Sequence, residues 1–447
     1  AKQLAVIGGV RVPTKDQPTS QASASGRVSQ GVQAAESPKA PVCVIEAGTG
    51  TGKTLAYLLA TIPLAQALNL KVVIATATVA LQEQVILKDI PELLNGSELD
   101  FSVALAKGRG RYVCLSKLDA LLEPNDSLQA MLDLYGEESV ELGEPDARLY
   151  QGMLDALAEG SWDGDRDSWN RPIAEQEWRP LTVDNASCLG ARCSNFRQCV
   201  FFKARESLDQ SDVIVSNHDL VLSDLALGGG MILPEPAKCL YIFDEAHHLP
   251  NKSNNHFAAS IRIRSTRAWL ERTRDLISQL LAEDFIPVDS QSSFDKLQAI
   301  LQPRLEEYWQ MLQPIFLNEG EIHDKRSRYT FPHGILPPEI RDAAGNLFSA
   351  FSQLAGLIAN IAEELKIELE ETTDLSRKEL AEHFYPVIGG AQRRAEGSAS
   401  LWLAYSQEDD LEKPPVARWM TYQEDDTQIE TTLSASPVLA ADNLSEK

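Results

Sequence analysis

The chain has 447 residues, of which 43 % are hydrophobic and 24 % are charged, with a formal net charge of −24. This composition is ordinary for a soluble globular protein, and the length allows about three domains. No apolar run approaches the roughly 20 residues of a membrane span, and no secretory signal is visible, so the sequence predicts a cytoplasmic protein.

Residues 1–40 are rich in Ser, Gln, Ala, Gly and Pro and show little periodicity, which indicates a loosely ordered lead-in. An apolar run, Val42 to Ile45, then leads into a glycine-rich segment, and an amphipathic run, Leu55 to Leu59, follows it. This order predicts a strand, a tight turn and a helix, which is the context of a phosphate-binding loop.

The glycine-rich segment matches the A-x-x-G-x-G-K-T variant of that loop, starting at Ala47. Its glycines let successive backbone N–H groups surround a phosphate, and the helix N-terminus adds partial positive charge. Lys53 is expected to reach the β- and γ-phosphates, and the Thr54 hydroxyl to ligate Mg²⁺. The alternative is a plain turn between strand and helix. The predicted nucleotide-binding residues are Gly48, Thr49, Gly50, Thr51, Gly52, Lys53 and Thr54.

Short apolar runs typical of a parallel sheet follow at Val72–Thr76 and Phe101–Leu105, with a helix opening at Ala77 to Gln84 between them. From Gly108 to about Arg205 this pattern breaks, and polar helices, an acid-rich stretch and tryptophans take its place. This segment is therefore interpreted as an insertion.

The sheet pattern resumes at Val213–Ser216 and at Leu240–Phe243, and the second run ends in Asp244-Glu245-Ala246-His247. A carboxylate at the C-terminal end of a buried parallel strand faces the crevice where ligands bind. Asp244 is predicted to hold Mg²⁺ through water, and Glu245 to orient and deprotonate the attacking water. The alternative is an acidic helix N-cap. For His218, a capping or packing role and a functional role are equal alternatives.

Residues 254–403 are predicted to be helical. Phe351, Leu354, Ile358, Ile361 and Leu365 recur at steps of three and four residues, as do Trp269, Thr273, Leu276 and Leu280. Such stripes are typical of the core of a helix bundle. Val416 to Tyr422 alternates like a strand, with Thr427–Thr432 as its predicted partner.

Four of the six cysteines have meaningful spacing: Cys114, Cys188, Cys193 and Cys199. The last three form C-x4-C-x5-C, and the first stands at the other end of the inserted segment. One distant ligand and a loose trio favour a [4Fe–4S] cluster over zinc, which usually takes two close pairs. Zinc remains the alternative, and Cys43 and Cys239 are interpreted as buried bystanders.

The net negative charge argues against a nucleic-acid surface, but the basic residues are unevenly spread. They cluster beside the cysteines, where a local basic groove is expected. The clustered residues are Lys107, Arg109, Arg111, Arg192, Arg197, Lys203 and Arg205.

The order of these motifs resembles that of the XPD-like iron–sulfur helicases of superfamily 2. The likeness rests on the phosphate loop, on Gly108 to Cys114, on the cysteine trio and on Asp244 to His247, whose sequence resembles motif II. It implies an α/β fold: a RecA-like P-loop domain with a parallel sheet, interrupted by an iron–sulfur cluster domain and a mainly helical arch. The implied catalytic residues are Lys53, Asp244, Glu245 and His247.

The resemblance also implies domain boundaries. The predicted segments are a lead-in (1–40), RecA-like domain 1 (41–107 and 206–254), the cluster domain (108–205), the arch (255–412) and a return to domain 1 (413–447). No motif III or second RecA-like domain is recognisable before Lys447. The expectation is therefore an N-terminal portion that is inactive alone.

The activity implied by the resemblance is ATP-dependent 5′–3′ translocation on single-stranded DNA, with unwinding of forks, D-loops or R-loops in DNA repair or replication. The implied cofactors are ATP, Mg²⁺ and the cluster. The implied partners are DNA and single-stranded-DNA-binding protein, and the implied state is a monomer. The alternative is a non-catalytic iron–sulfur module that binds DNA or a partner and holds nucleotide without efficient turnover. A metabolic P-loop kinase does not explain the cysteines.

Overall fold

The structure is a computed structural model, and it describes residues 42–48, 50–122, 144–185, 187–319, 321–323, 326–408, 415–425 and 428–438. The predicted lead-in at 1–40, Thr49 of the phosphate loop and Ala186 beside the cysteine trio lie outside the described residues. The chain divides into two compact units. The first unit comprises residues 1–107, 204–252 and 443–447, and the second comprises residues 108–203 and 253–442.

The strands, in chain order, are β1 (Lys71–Thr76), β2 (Val103–Leu105), β3 (Val213–Asn217), β4 (Cys239–Phe243), β5 (Ala259–Arg262), β6 (Glu321–His323), β7 (Arg326–Thr330), β8 (Val416–Asp425) and β9 (Gln428–Pro437). The helices are α1 (Lys53–Leu68), α2 (Val79–Gln84), α3 (Ile90–Gly96), α4 (Leu115–Leu122), α5 (Glu144–Ala158), α6 (Glu175–Trp178), α7 (Val200–Gln210), α8 (His218–Ala226), α9 (Leu249–His256), α10 (Ile263–Ala282), α11 (Val288–Glu319), α12 (Pro338–Glu371) and α13 (Leu375–Ser406).

The first unit is built on a four-stranded parallel sheet with the strand order β2-β3-β1-β4. In β1, Val73 pairs with Ile214 of β3 on one side and with Tyr241 of β4 on the other. Apolar side chains cover both faces of this sheet, because each strand is a continuous apolar run. The predicted α/β fold with a parallel sheet is confirmed, and it is consistent with a RecA-like domain.

The strand predicted at Val42 to Ile45 is absent from the described sheet. Residues 42–48 have no regular secondary structure, and Val42 and Val44 are 83 % and 62 % exposed. A strand forms only where a neighbouring strand accepts its backbone hydrogen bonds, and none of the described strands pairs with this segment. Its apolar composition was therefore insufficient evidence for a strand.

The cysteine-bearing segment of the second unit is made of short helices, turns and loops around a small apolar core. Trp178, 1 % exposed, lies at its centre, and its indole nitrogen donates to the carbonyl oxygen of Gly110 at 2.7 Å. The other buried members of this core are Val113, Leu118, Tyr150, Met153, Trp162, Ile173 and Leu181. Much of this segment therefore depends on side-chain packing rather than on a sheet.

The remainder of the second unit combines long helices with a five-stranded antiparallel sheet of order β5-β9-β8-β7-β6. Each residue of the two predicted helical stripes is buried, as expected for bundle cores. The predicted strand pair near the C-terminus is confirmed as β8 and β9, which pair with each other. The prediction assigned 413–447 to the return to domain 1, but β8 and β9 lie in the second unit, where β9 pairs with β5.

Within the described residues, no helix combines the length and the apolar character needed to cross a membrane.

Candidate nucleotide site and cysteine pocket

The phosphate loop ends in two glycines that hold backbone conformations an L side chain rarely adopts. Gly50 has φ 74° and Gly52 has φ 76°, and Gly52 is the residue that caps the start of α1. The Thr51 hydroxyl donates to the carbonyl oxygen of Gly48 at 2.8 Å, which closes the turn. A Cβ at Gly50 or Gly52 would meet no atom within 4 Å, so lack of space is not the reason for these glycines. They are required because of their positive φ angles.

Lys53 and Glu245 form an ion pair, although the two residues are 192 positions apart in the sequence. The Lys53 Nζ lies 2.6 Å from Glu245 Oε1, and the side chains are 30 % and 28 % exposed. The hydrogen bond from Lys53 is the main reason why the pKa of Glu245 lies below its usual value. The structure thus brings the phosphate-loop lysine and the second predicted acidic residue into direct contact.

Asp244 lies at the C-terminal end of β4, as predicted, and its backbone N–H donates to the carbonyl oxygen of Ala75 at 2.9 Å. Burial raises the pKa of Asp244, and the neighbouring charge of Glu245 raises it further. Tyr57 of α1 is buried close to this carboxylate, and burial and then the charge of Asp244 raise its pKa. Two adjacent carboxylates therefore have pKa values shifted in opposite directions.

The other predicted site residues lie around this pair. Thr54 occupies the second position of α1. His247 is 67 % exposed, and its Nδ1 lies 3.2 Å from Glu245 Oε2, so the second oxygen of Glu245 faces this ring. Its imidazole also lies against that of His248, with ring centroids 4.1 Å apart. The structure thus places His247 beside Glu245.

Sequence reasoning missed the contact between His218 and motif II. His218 Nε2 lies 2.9 Å from the carbonyl oxygen of Asp244. The signal was present, because His218 directly follows β3. Parallel strands such as β3 and β4 end at the same edge of a sheet, so residues that follow them meet there.

The four predicted cysteine ligands line one pocket in the second unit. Its space measures about 410 Å³ with its open mouth included, and its lining includes the aromatic side chains of Tyr112, Phe196, Phe201 and Phe202. The cysteines are Cys114, Cys188, Cys193 and Cys199. In the part of the chain that the structure describes, no three His, Cys, Asp or Glu side chains converge tightly enough to be recognised as a site for a metal ion.

Arg109 is a charged group in direct contact with a thiol of this pocket. Its Nη1 donates to Cys188 Sγ at 2.6 Å, and its guanidinium carbon lies 4.1 Å from the centroid of the Phe201 ring. Burial raises the pKa of Cys188, and the charge of Arg109 opposes that rise. Burial also raises the pKa of Cys114, to about 11. Arg109 is therefore placed to stabilise a thiolate that burial alone disfavours.

The loop that carries the cysteine trio is attached to the long helices of the same unit. Leu189 is buried in the apolar core that α12 and α13 share. On either side of it, Arg192 Nε donates to Glu370 Oε1 at 2.5 Å, and Asp184 pairs with Arg393. The two cysteines interpreted as bystanders, Cys43 and Cys239, belong to the first unit.

Comparison with known proteins supplies several relatives. The ATP-dependent DNA helicase DinG of Photobacterium profundum is 37 % identical over 382 residues, which are 84 % of this chain and 52 % of the relative. Proteins of the same name from Salmonella typhimurium and Escherichia coli K12 are 31 % and 30 % identical, each over 90 % of this chain and 55 % of the relative. The chain thus spans about half the length of the curated relatives it matches.

No family model matches the chain. Within the helicase family that the motifs resemble, they indicate the DinG group, with its paralogue YoaA as the nearest competitor. The relatives described above carry the DinG name, and they confirm this resemblance.

Proposed function

Because the chain is related to the DinG helicases over at least 84 % of its length, we propose that it supplies the ATP-binding part of an ATP-dependent DNA helicase. The helicase moves 5′–3′ on single-stranded DNA and unwinds forks, D-loops or R-loops in DNA repair or replication. The observation that carries the proposal is the 2.6 Å contact between Lys53 and Glu245, which joins the phosphate loop to motif II.

In this proposal the substrate is ATP, and Glu245 is the residue that pairs with Lys53 before ATP binds. Lys53 has three N–H donors, and phosphate oxygens compete with Glu245 for them. When Lys53 moves to the phosphates, Glu245 loses the hydrogen bond that lowers its pKa and becomes a stronger base for the attacking water. Asp244 and Thr54 are the proposed Mg²⁺ ligands, and that ion supplies charge neutralisation at the phosphates. His247 orients the second oxygen of Glu245.

For the cysteine pocket, the proposal is a [4Fe–4S] cluster held by Cys114, Cys188, Cys193 and Cys199. The donor set fits this group, because the four cysteines line one pocket. The cluster supplies iron–thiolate bonds that tie Cys114 to the loop carrying the trio. Arg109 supports it by donating to the sulfur of Cys188.

DNA is proposed to bind beside this pocket. Of the predicted basic residues, Arg111 pairs with Asp167, and Arg192 pairs with Glu370. Arg197 and Lys203 are exposed and form no ion pair with the described residues, so they are available for phosphates. The helical segment is proposed to form the arch. The proposed partners are DNA and single-stranded-DNA-binding protein, with the chain as a monomer in the cytoplasm.

The function is tested by Mg²⁺·ATP binding to the purified chain. Lys53→Ala is expected to weaken binding by about a hundredfold, because a charge-assisted contact contributes up to about 3 kcal/mol. Glu245→Gln is expected to bind at least as tightly as the wild type, since the amide competes less for Lys53. Lys238→Ala is the matched control. Its exposed lysine precedes β4, at the opposite end from Asp244, and pairs with Glu235.

Equal loss of nucleotide in Lys53→Ala and Glu245→Gln would contradict these roles. Hydrolysis is expected only where a second RecA-like domain supplies an arginine to the site, because such arginines contribute about 10³–10⁵ in rate. DNA-stimulated turnover within tenfold of a complete DinG helicase by residues 1–447 alone would contradict that expectation. Nucleotide and DNA binding without any turnover, even beside a second domain, would instead support the non-catalytic module.

A further inference from the structure

His218 is a fully buried histidine whose ring reaches the backbone of motif II. It is the first residue of α8 and is 0 % exposed. Its Nε2 lies 2.9 Å from the carbonyl oxygen of Asp244, and its ring centroid lies 5.9 Å from that of Phe243. The residue thus connects the end of β3 to the end of β4, with β1 between them.

The capping role proposed from the sequence belongs to a different residue. Asn217 caps α8, since its Oδ1 accepts a hydrogen bond from the backbone N–H of Leu220 at 2.8 Å. The histidine ring is therefore free to serve another purpose. Packing alone does not require an imidazole, because an apolar side chain would fill this buried position without burying two ring nitrogens.

The contact determines how the ring is protonated. A carbonyl oxygen only accepts hydrogen bonds, so the hydrogen must lie on Nε2. The other nitrogen, Nδ1, is buried and has no hydrogen-bond partner among the described residues. An unpartnered buried nitrogen is unfavourable, so this arrangement persists at a cost in stability. Such a cost is typical of a position where a polar contact serves the site.

The same contact fixes the peptide plane that precedes Glu245. The Asp244 carbonyl and the Glu245 N–H belong to one planar group, so holding the oxygen restricts rotation about the Glu245 N–Cα bond. Glu245 has φ 53°, in the left-handed region that residues other than Gly and Asn rarely adopt. Its N–H faces Asp244 Oδ1 at 3.1 Å, and His218 supplies a contact to this plane from outside motif II.

We infer that His218 is a positioning residue of the nucleotide site. By donating to the Asp244 carbonyl, it holds the Asp244–Glu245 peptide in the orientation that places the Glu245 carboxylate on Lys53 and turns Asp244 toward the phosphates. The inference rests on the proposed nucleotide site, and it adds a residue that acts through the backbone without touching the nucleotide.

The first test is the tautomer of His218 in the wild-type chain. Nitrogen-15 NMR of the histidine rings distinguishes a protonated from an unprotonated ring nitrogen, and the His218 signals are those lost in His218→Gln. The expected result is a hydrogen on Nε2. A hydrogen on Nδ1 alone would overturn the inference, because Nε2 would then be unable to donate to Asp244.

The second test compares nucleotide binding with and without Mg²⁺, using a fluorescent ATP analogue. His218→Leu removes the donor and is expected to weaken binding about tenfold in Mg²⁺ while changing it less than about threefold in EDTA. His218→Gln places an N–H near the position of Nε2 and is expected to recover most of the affinity. The control is Ser223→Ala, which removes a polar group from the same helix, far from motif II in sequence.

The measurements distinguish a positioning role of His218 from a purely structural role and from a failure of the proposed nucleotide site. Equal losses for His218→Leu and His218→Gln, or equal losses with and without Mg²⁺, would show a purely structural role and overturn the inference. Melting temperatures of both variants identify a global loss of fold. A wild-type chain that binds no Mg²⁺·ATP would instead overturn the proposed nucleotide site, and the inference with it.

Discussion

The nucleotide site of the first unit lies at the ends of a helix and a strand, whereas turns and loops connect the cysteine trio of the second unit. Lys53 begins a helix beside a parallel sheet, and Asp244 directly follows a strand of that sheet, which has apolar layers on its two faces. Around the pocket, the cysteine trio is joined by three-residue 3₁₀ turns, Gly190–Arg192 and Phe196–Gln198.

The two sites also differ in how far their charged groups are compensated by neighbouring charges. Without nucleotide, Lys53 already has a counter-charge in Glu245. At the cysteine pocket, burial raises the pKa of both Cys114 and Cys188, although Lys117 opposes the rise at Cys114 and Arg109 opposes that at Cys188. A site with paired charges on a sheet is expected to persist without its ligand, and a pocket of buried thiols on loops is expected to depend on the group it holds.

The largest expected effect is the loss of iron when a pocket cysteine is replaced. Cys188→Ser is expected to lose nearly all iron after anaerobic purification and to expose residues 108–122 and 187–203 to proteolysis, because short turns join the cysteine trio and the iron–thiolate bonds would tie it to Cys114. Cys239→Ser is the control, since this half-buried thiol lies in β4 of the other unit. About one zinc and no iron in the wild-type chain would contradict the cluster assignment.

A smaller effect is expected from Arg109, which donates to Cys188 and lies against Phe201. Arg109→Ala is expected to accelerate chelator-driven loss of iron by about 10- to 100-fold, the range typical of residues that support metal ligands. Arg109→Lys keeps the charge but loses the planar stack, so its rate of iron loss should lie between those of the wild type and of Arg109→Ala. Loss of absorbance near 400 nm measures the rate. Arg111→Ala, which removes an arginine paired with Asp167, is the control.

A further effect concerns DNA. Replacing both Arg197 and Lys203 by Ala is expected to weaken single-stranded DNA binding and to reduce the slope of affinity against salt by about 1.4, because each phosphate contact on a single strand contributes about 0.7. Fluorescence anisotropy at several salt concentrations measures the slope. The matched control is Lys238→Ala in the first unit. An unchanged slope would exclude these two side chains from the DNA surface.

The smallest effect tests the sheet of the first unit. Asp212 Oδ2 accepts hydrogen bonds from the Ser102 backbone N–H at 2.8 Å and from the Ser102 hydroxyl at 2.7 Å. The backbone hydrogen bond, and then that of the hydroxyl, lower the pKa of Asp212 below its usual value. Because the folded pKa is depressed, the stabilisation is present above the unfolded pKa of about 3.9 and is lost as the pH falls through the folded value.

Asp212→Ala is therefore expected to lower the free energy of unfolding by about 1 kcal/mol at neutral pH, a value reduced by the exposure of this carboxylate, and by almost nothing at about pH 2. Urea unfolding at the two pH values measures the difference. Asp212→Asn keeps an acceptor but cannot ionise. The pH dependence that Asp212 contributes to the free energy of unfolding should therefore be absent in this variant. A pH-independent difference between the wild type and Asp212→Ala would contradict the account.

The sequence was most informative where a local pattern determines the structure. The runs at 72–76 and 213–216 form strands, and the stripe from Phe351 to Leu365 is buried on one helix. Val42 to Ile45 has a similar apolar composition but forms no strand, because composition does not reveal whether a hydrogen-bonding neighbour exists.

Contacts between residues far apart in the chain were harder to predict from the sequence. The motifs placed Lys53 and Glu245 at one site, but their direct ion pair depends on the backbone conformation of Glu245, which no residue type signals. Cysteine spacing grouped four residues that the structure places in one pocket. Arg109, grouped by sequence with other basic residues, instead donates to Cys188, because the fold joins positions 79 residues apart.

The most direct test of this comparison is hydrogen–deuterium exchange of the purified chain before and after chemical removal of the iron, together with Mg²⁺·ATP binding. We expect residues 108–122 and 187–203 to lose protection, whereas β1, β3 and β4 keep theirs and nucleotide affinity changes by less than about threefold. Loss of protection in those three strands, or an unchanged pocket after iron removal, would contradict this expectation.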